Sequence, residues 1–537
     1  MNRDDFRSQF NYLIVDDFEQ MRVSLIGMLH SFGAERITIS STGEEALKKL
    51  SSESYDVVIC DYNLGEGRDG QQVLEEARYQ GYLGHASIFF MVTAESSMPM
   101  VLGALEQQPD EYMVKPLNQE ALHHRLEIAI KRKRELLHID EALSDNDIDS
   151  AIKFCNEQRG SDLKQSLYLA KLQAELYQEI NEYSNALAIY KDLLAIRDFH
   201  WARFGFGKVA YYQGNYAQSE EAFRDLIEKN HHFLEAYEWL AMILEHRGDL
   251  VEAQQALSHA LKLSPRSVAR QRRLGFLALK NGDQESARRA LQAAIRWGAN
   301  SCFATAEEYR YLADLYQESG EITKMIRLLA DGLKRFNHRP ADKIQMLCGQ
   351  ALAKHAMNQP QEVDDYLNRV DRLIDANKQD LSPENLHMIA KDCFRLSRDE
   401  IAKGYLRLVI CNKHDDESWI ERVRHLMEGE GQASEGETLI AEARNKITQV
   451  HSHSMELLRQ GERKQAIDLL NEIIEKYPYN KTMVLLATKA MILDMHDKGV
   501  DNRYHFTCRY SLAVLCSQKN QDPEITKFLE ELNRLQT

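Results

Sequence analysis

Three glycines, Gly214, Gly248 and Gly282, stand 34 residues apart in "YYQGNYAQSEEAF", "EHRGDLVEAQQAL" and "LKNGDQESARRAL". Seven residues before each lies another small residue: Gly207, Ala241 and Gly275. Five after each lies Ser219, Ala253 or Ala287, and nine after each lies Phe223, Leu257 or Leu291. A repeat of this length holds two antiparallel helices and a turn, and it buries its apolar face only against the next copy. The small residues let the two helix backbones approach closely, and the large ones fill the space between units. Pro265 falls where the second helix of a unit should stop. Three consecutive registers commit this part of the chain to a stacked helical array.

The period and the small-residue offsets resemble the tetratricopeptide repeat. A less regular unit precedes the three, with Tyr177, Tyr183, Ala186 and Tyr190. Another follows with Leu312, Ala313, Tyr316 and Gly320, displaced by a four-residue insertion around residues 298–305. Residues 455–478, "MELLRQGERKQAIDLLNEIIEKYP", repeat the pattern with Gly461, Ala466, Leu470 and Pro478. Between about 340 and 450 the register blurs while helical spacing persists, which reads as degenerate helical pairs.

Before residue 135 the periodicity is different. Short apolar runs at 12–15, 37–40, 57–60, 88–92 and 112–114 read as strands, separated by stretches of helical spacing. Leu25, Met28, Leu29 and Phe32 share one helix face, and Gly33 suits the position just past its end. Alternation of this kind predicts an α/β fold, a doubly wound five-stranded parallel sheet. The site of such a sheet lies beyond the carboxyl ends of its strands. The residues at those ends are Asp16 and Asp17, Asp61, Thr93, and Lys115 with Pro116. Three carboxylates on one rim repel one another, and they suit a hard divalent cation such as Mg²⁺.

The acidic pair, the strand-three aspartate, "VTAE" and "VKP" together resemble the receiver domain of two-component response regulators, over residues 9–130. That resemblance implies a flavodoxin-like receiver and assigns roles. Asp61 is then the phosphoacceptor, served by a histidine kinase or phosphotransfer protein. Asp17, Asp61 and the backbone carbonyl of Asn63 then bind Mg²⁺, with Asp16 acting through water. Lys115 and Thr93 answer the phosphoryl group, Ala94 leaves it accessible, and Pro116 follows a cis bond. Tyr112 takes the switch-aromatic position, paired with Thr93. Glu95 and Asn63 stand where side chains tune the phosphoryl lifetime. The loop "GEGRDG" departs from the family's usual turn, which changes its shape and should spare the pocket.

Composition narrows the function. Lys plus Arg is 67 and Asp plus Glu is 83, a net charge of −16 that disfavours nonspecific nucleic-acid binding. The basic run at 131–134 reads as a helix end meeting its macrodipole. Tyr211, Tyr212, Tyr216 and Tyr237 fall at repeat-packing offsets rather than on a base-stacking surface. No run approaches a membrane span, and the N-terminal residues do not form a secretion signal. Eight scattered cysteines without a CxxC pair read as buried thiols in a cytoplasmic protein. His451 with His453, and His231 with His232, read as surface loop residues rather than a metal site. No Walker loop, nucleophile elbow or HExxH is present, so no enzyme is expected beyond the receiver's own chemistry.

The expected organisation is a receiver at 1–134, a tetratricopeptide array at 135–340, and degenerate repeats at 341–537 forming an all-α superhelix. The expected function is a phosphorylation-controlled adaptor whose repeats bind a partner protein. The alternative is a divergent effector, an enzyme or a nucleic-acid binder, controlled by the receiver. The resemblance also leaves a homodimer through the receiver open. The short stretch "HIDEALSDND" cannot act as a long tether, so the strand-five face should touch the first repeats or a second receiver.

Overall fold

The computed structural model describes residues 8–84, 87–94, 106, 109–145, 147–158, 163–377, 381–516 and 523–536. Glu95 lies outside these residues. The chain divides into two compact units, Met1–Ala304 and Thr305–Thr537.

The first unit opens with strands β1 (Asn11–Val15), β2 (Arg36–Ser40), β3 (Val57–Asp61), β4 (Ile88–Thr93) and β5 (Glu111–Val114). They form one parallel sheet in the order β2-β1-β3-β4-β5. Alternate residues of each strand feed two cores. Tyr12, Ile14, Val57, Ile59 and Phe90 meet Leu25, Leu29 and Phe32 of the helix Glu19–Phe32, and Leu122 and Leu126 of the helix Gln119–Glu135. Leu13, Val15, Val58 and Phe89 meet the helices Gly43–Ser52 and Gly70–Tyr79 on the other face. Gly33 stops its helix with φ 99°, as its position predicts. The sheet matches the expected doubly wound fold.

The basic run does more than end a helix. Lys133 pairs with Asp56 at 3.0 Å, and Arg132 pairs with Asp110 at 3.1 Å, so the run ties its helix to the residues that lead into β3 and β5. The connecting stretch is itself helical, Leu137–Ser144, followed by the helix Ile148–Glu157.

Paired helices make up the rest of the first unit. Leu163–Glu179 pairs with Tyr183–Ile196, and His200–Tyr212 with Tyr216–Lys229. Leu234–Arg247 then pairs with Leu250–Leu263, and Val268–Lys280 with Gln284–Trp297. The small positions have the predicted use. A Cβ at Gly207 would stand 2.8 Å from the Phe223 ring, and one at Gly275 would stand 2.8 Å from Leu291. Those are the large residues nine positions after the turn glycines. Ser219 adds a hydrogen bond to the Gly207 carbonyl at 2.7 Å, so its offset is polar where its counterparts are alanine. Two of the tyrosines differ from expectation. Tyr237 is buried as expected, whereas Tyr212 and Tyr216 are 50% and 36% exposed, with Tyr212 stacked on Tyr183.

The second unit is helical among its described residues. Helices Pro340–Ala356, Pro360–Ala376, Pro383–Arg395, Asp399–Asn412, Glu417–Gly429 and Ala433–Arg459 fill the stretch where the register blurs. Buried Arg310 pairs with buried Asp392 at 2.6 Å within this unit. His451 and His453 lie on the long helix Ala433–Arg459 rather than on a loop. Of the cysteines, Cys302 is half-buried and Cys516 exposed, against six that are buried as expected. Among the described residues, no helix is long and apolar enough to cross a membrane.

Candidate functional site

The sheet register sets the site. Asp61 pairs with Val92, and Thr93 pairs with Val114, so Asp61, Thr93 and Lys115 emerge at one level of one rim. Asp16 follows β1 on the same rim, where β1 lies between β2 and β3. Oxygens of Asp16, Asp17 and Asp61 lie within 4.8 Å of one another. No other group of this kind occurs among the described residues.

Lys115 bridges the cluster. Its Nζ donates to Asp16 Oδ2 at 2.8 Å and to Asp61 Oδ2 at 2.7 Å. Burial works against its charge, and the bonds to Asp16 and Asp61 outweigh it to raise the lysine pKa. Burial also lifts the Asp61 carboxyl above its ordinary value, helped by Asp16 and opposed by Lys115 and the Asn63 N–H. The Lys115–Pro116 bond is cis.

The three acids are not equivalent. Asp16 has both oxygens engaged, since Oδ1 accepts from the Phe18 N–H at 2.9 Å. Its carbonyl also holds Arg22 at 2.6 Å. Asp17 Oδ1 is buried with no hydrogen-bond partner, an expensive state for a carboxylate. Three carboxylates gather about one ammonium, and the nearby Arg22 guanidinium meets only the Asp16 carbonyl. An orphaned oxygen within a cluster of carboxylates fits a divalent cation bound by hard oxygen donors.

The loop after Asp61 is held from several sides. Gly65 and Gly67 take φ of 75° and 99°, which favours glycine. Arg68 donates from its backbone to Glu44 at 3.1 Å and through Nε to Glu76 at 2.9 Å. Asp69 and Gln72 form a capping box at the start of the helix Gly70–Tyr79. A Cβ at Gly70 would stand 2.1 Å from the Asp61 carbonyl oxygen, so only glycine lets this helix approach Asp61. Sequence reasoning missed Gly70 and Arg22, although a glycine opening a helix beside a strand end is a usable signal. The loop is unusual in sequence, and the acidic cluster is present beneath it.

Thr93 is buried at the end of β4, and its carbonyl accepts from the Lys115 N–H at 2.7 Å. Tyr112 lies beside Met91 and packs half-buried against the core that holds Phe89 and Leu13. Asn63 is exposed, and its side chain accepts from the Gly65 N–H at 3.4 Å. Ala94 is exposed beside Thr93.

The family model of the response regulator receiver domain matches residues 12–127, and tetratricopeptide repeat models match 204–268 and 456–478. The chain is 31% identical over 120 residues to the chemotaxis protein CheY of Pseudomonas aeruginosa, a match covering 22% of this chain and 95% of that protein. It is 30% identical over 120 residues to CheY-3 of Vibrio cholerae, covering 22% and 91%. A receiver domain structure from Methanospirillum hungatei is 25% identical, covering 24% of this chain and 97% of that one, with a TM-score of 0.22. The chain belongs to the response regulator receiver family, with tetratricopeptide repeats following the receiver.

Proposed function

We propose that the protein is a response regulator phosphorylated on Asp61, whose repeats act as a phosphorylation-controlled adaptor for a partner protein. The observation that carries this reading is the acidic cluster itself. Lys115 bridges Asp16 and Asp61 while Asp17 Oδ1 has no partner.

An Asp61 carboxylate oxygen attacks the phosphorus of a phosphohistidine on a kinase or phosphotransfer protein. The new O–P bond forms as the N–P bond breaks, and the electron pair stays on the donor imidazole. Asp17, Asp61 and the Asn63 carbonyl are the groups that would hold Mg²⁺, with Asp16 already committed to Phe18 and Lys115 and acting through water. When bound, Mg²⁺ offsets charge on the transferring phosphoryl oxygens. Lys115 then moves its point charge from the Asp61 carboxylate to the phosphoryl group, and Thr93 offers its hydroxyl. Tyr112, beside Met91 on β5, follows Thr93 as the switch residue. Exposed Ala94 leaves the phosphate accessible.

In this reading residues 1–134 are the receiver, 135–340 the regular repeats and 341–537 the degenerate ones. Paired helices without the parts of an enzyme support a binding role. The acidic chain and the absence of a span-length apolar helix among the described residues favour a cytoplasmic protein partner over nucleic acid or membrane. The test is labelling with acetyl phosphate, followed by intact mass. One phosphoryl group is expected, dependent on Mg²⁺ and absent from Asp61→Asn. Full labelling of that variant contradicts the assignment.

A further inference from the structure

The second unit carries a trough of about 550 Å³ between the helices Lys481–Lys498 and Pro523–Gln536. Leu485, Lys489, Ile492 and Leu493 fall at i, i+4, i+7 and i+8, so one face of the first helix lines it. Glu524, Lys527, Phe528 and Glu531 line it from the second helix at i, i+3, i+4 and i+7. Leu485, Leu486 and Phe528 are half-buried, and Leu493 is 45% exposed. A helix of a stacked array hides such a stripe against the next unit. Here the stripe opens on solvent.

The charged groups of the lining sort by position. At one end Lys481 stands 3.9 Å from Glu524, and Thr482 Oγ1 donates to Asp415 Oδ2 at 2.5 Å. At the other end Glu531 lies 3.5 Å from His496 Nε2. The three acids of the lining are thus engaged by the protein itself. Between these ends stand Lys489 and Lys527, both exposed and neither meeting a carboxylate among the described residues. Their ammonium groups remain available beside the apolar stripe. The complement of this surface is an apolar ridge flanked by carboxylates.

We propose that this trough docks an acidic amphipathic helix of a partner protein, its apolar stripe on Leu485, Leu493 and Phe528 and its carboxylates beside Lys489 and Lys527. The proposal deepens the adaptor reading above and rests on its partner-binding half alone, not on phosphorylation. Two helix faces open along one side accept a third helix by the same ridge-into-groove packing that builds the array. An extended peptide fits worse. The walls are helices whose backbone groups are already bonded, so its own N–H and C=O groups would find no ladder there. A helix flanked by lysines would set like charges against Lys489 and Lys527, which gives the site its selectivity.

The test pans the immobilised full chain against phage-displayed random peptides of about 16 residues, long enough for four helical turns. A double variant, Lys489→Glu with Lys527→Glu, is panned in parallel. Both lysines are exposed, so the exchange spares the core, and an unaltered melting curve checks that. The wild type should enrich peptides with Leu or Phe at i, i+3 or i+4, and i+7, flanked by Asp or Glu. The net charge of −16 works against such ligands, so their enrichment needs a local cause. The double variant should lose them and enrich lysine-flanked counterparts, a swap that misfolding cannot produce. By fluorescence anisotropy the best acidic peptide should bind the double variant about tenfold more weakly, and about 0.5 M salt should narrow the gap. Leu493→Asp should weaken the same peptide with both lysines in place. Enriched peptides without an acidic bias, or acidic peptides bound equally by both proteins, overturn the trough and leave the adaptor reading standing. If the chain enriches no peptide, the trough falls, and the adaptor reading then stands or falls on retention of whole proteins.

Discussion

Asp16, Asp17 and Asp61 share one charge sign and one rim, yet their surroundings divide the work. Asp16 is tied to Phe18 and Lys115, Asp61 to Lys115, and Asp17 keeps an open oxygen. Lys115→Ala removes the ammonium that bridges the buried Asp16 and Asp61 carboxylates, so phosphorylation should no longer alter hydrogen exchange in the repeats. A normal response to beryllofluoride, a phosphoryl mimic, in that variant counts against the mechanism. Thr93→Ala should lose the response too, while calorimetry shows Mg²⁺ affinity within about twofold of the wild type, since Thr93 supplies no metal oxygen. These five side chains were legible because each ends a strand, where alternation and apolar runs fix position. Gly70 and Arg22 were not, because their contacts with Asp61 and Asp16 depend on how the following helices return to the rim.

The elements of the repeats obey two separate demands on glycine. Gly275 has no room, with Leu291 2.8 Å from any added Cβ, whereas Gly248 has open space and a φ of 91°. Gly275→Ala should cost about 1–3 kcal/mol through overpacking. Gly248→Ala should cost about 1 kcal/mol through the left-handed backbone alone. Urea unfolding of both variants checks this, and an unchanged midpoint for Gly275→Ala would refute the close approach. The turn marker also explains the blurred register. Asn358 and Ser397 take φ of 56° and 55° where the regular units use glycine, so the fold kept the turn and the sequence lost its sign. Prolines at the first turn of the helices beginning at 340, 360 and 383 carry the same information in another form.

One helix of the receiver should also make its unit sensitive to pH. Burial raises the Glu75 carboxyl from 4.5 to about 7, opposed by Gln71 and helped by Asp69 and Glu106. The folded state then holds a proton that the unfolded chain releases between pH 4.5 and 7. Stability from this group is complete below pH 4.5 and is lost as pH rises through about 7. Glu75→Gln should flatten that part of the melting-temperature profile. A profile as steep as the wild type's would show that Glu75 does not titrate there.

At the scale of the molecule, the sheet and the first repeats belong to one compact unit, joined through the helix Leu137–Ser144. The strand-five side does touch an early repeat, since Arg132 lies over the Tyr168 ring at 5.9 Å. The contacts of Arg270 with Glu106 and of Asn300 with Gly67 were not foreseeable from the short connector. They arise only after the chain has run through several helix pairs and returned to the segments beyond β3 and β4. The central claim is that Asp61 controls what the repeats hold. Its most direct measurement is the set of proteins retained by the immobilised full chain after nuclease treatment, with and without beryllofluoride, and with Asp61→Asn as the control. The account predicts at least one protein whose retention changes on beryllofluoride loading of the wild type and stays constant in Asp61→Asn. An identical set under all conditions would contradict it.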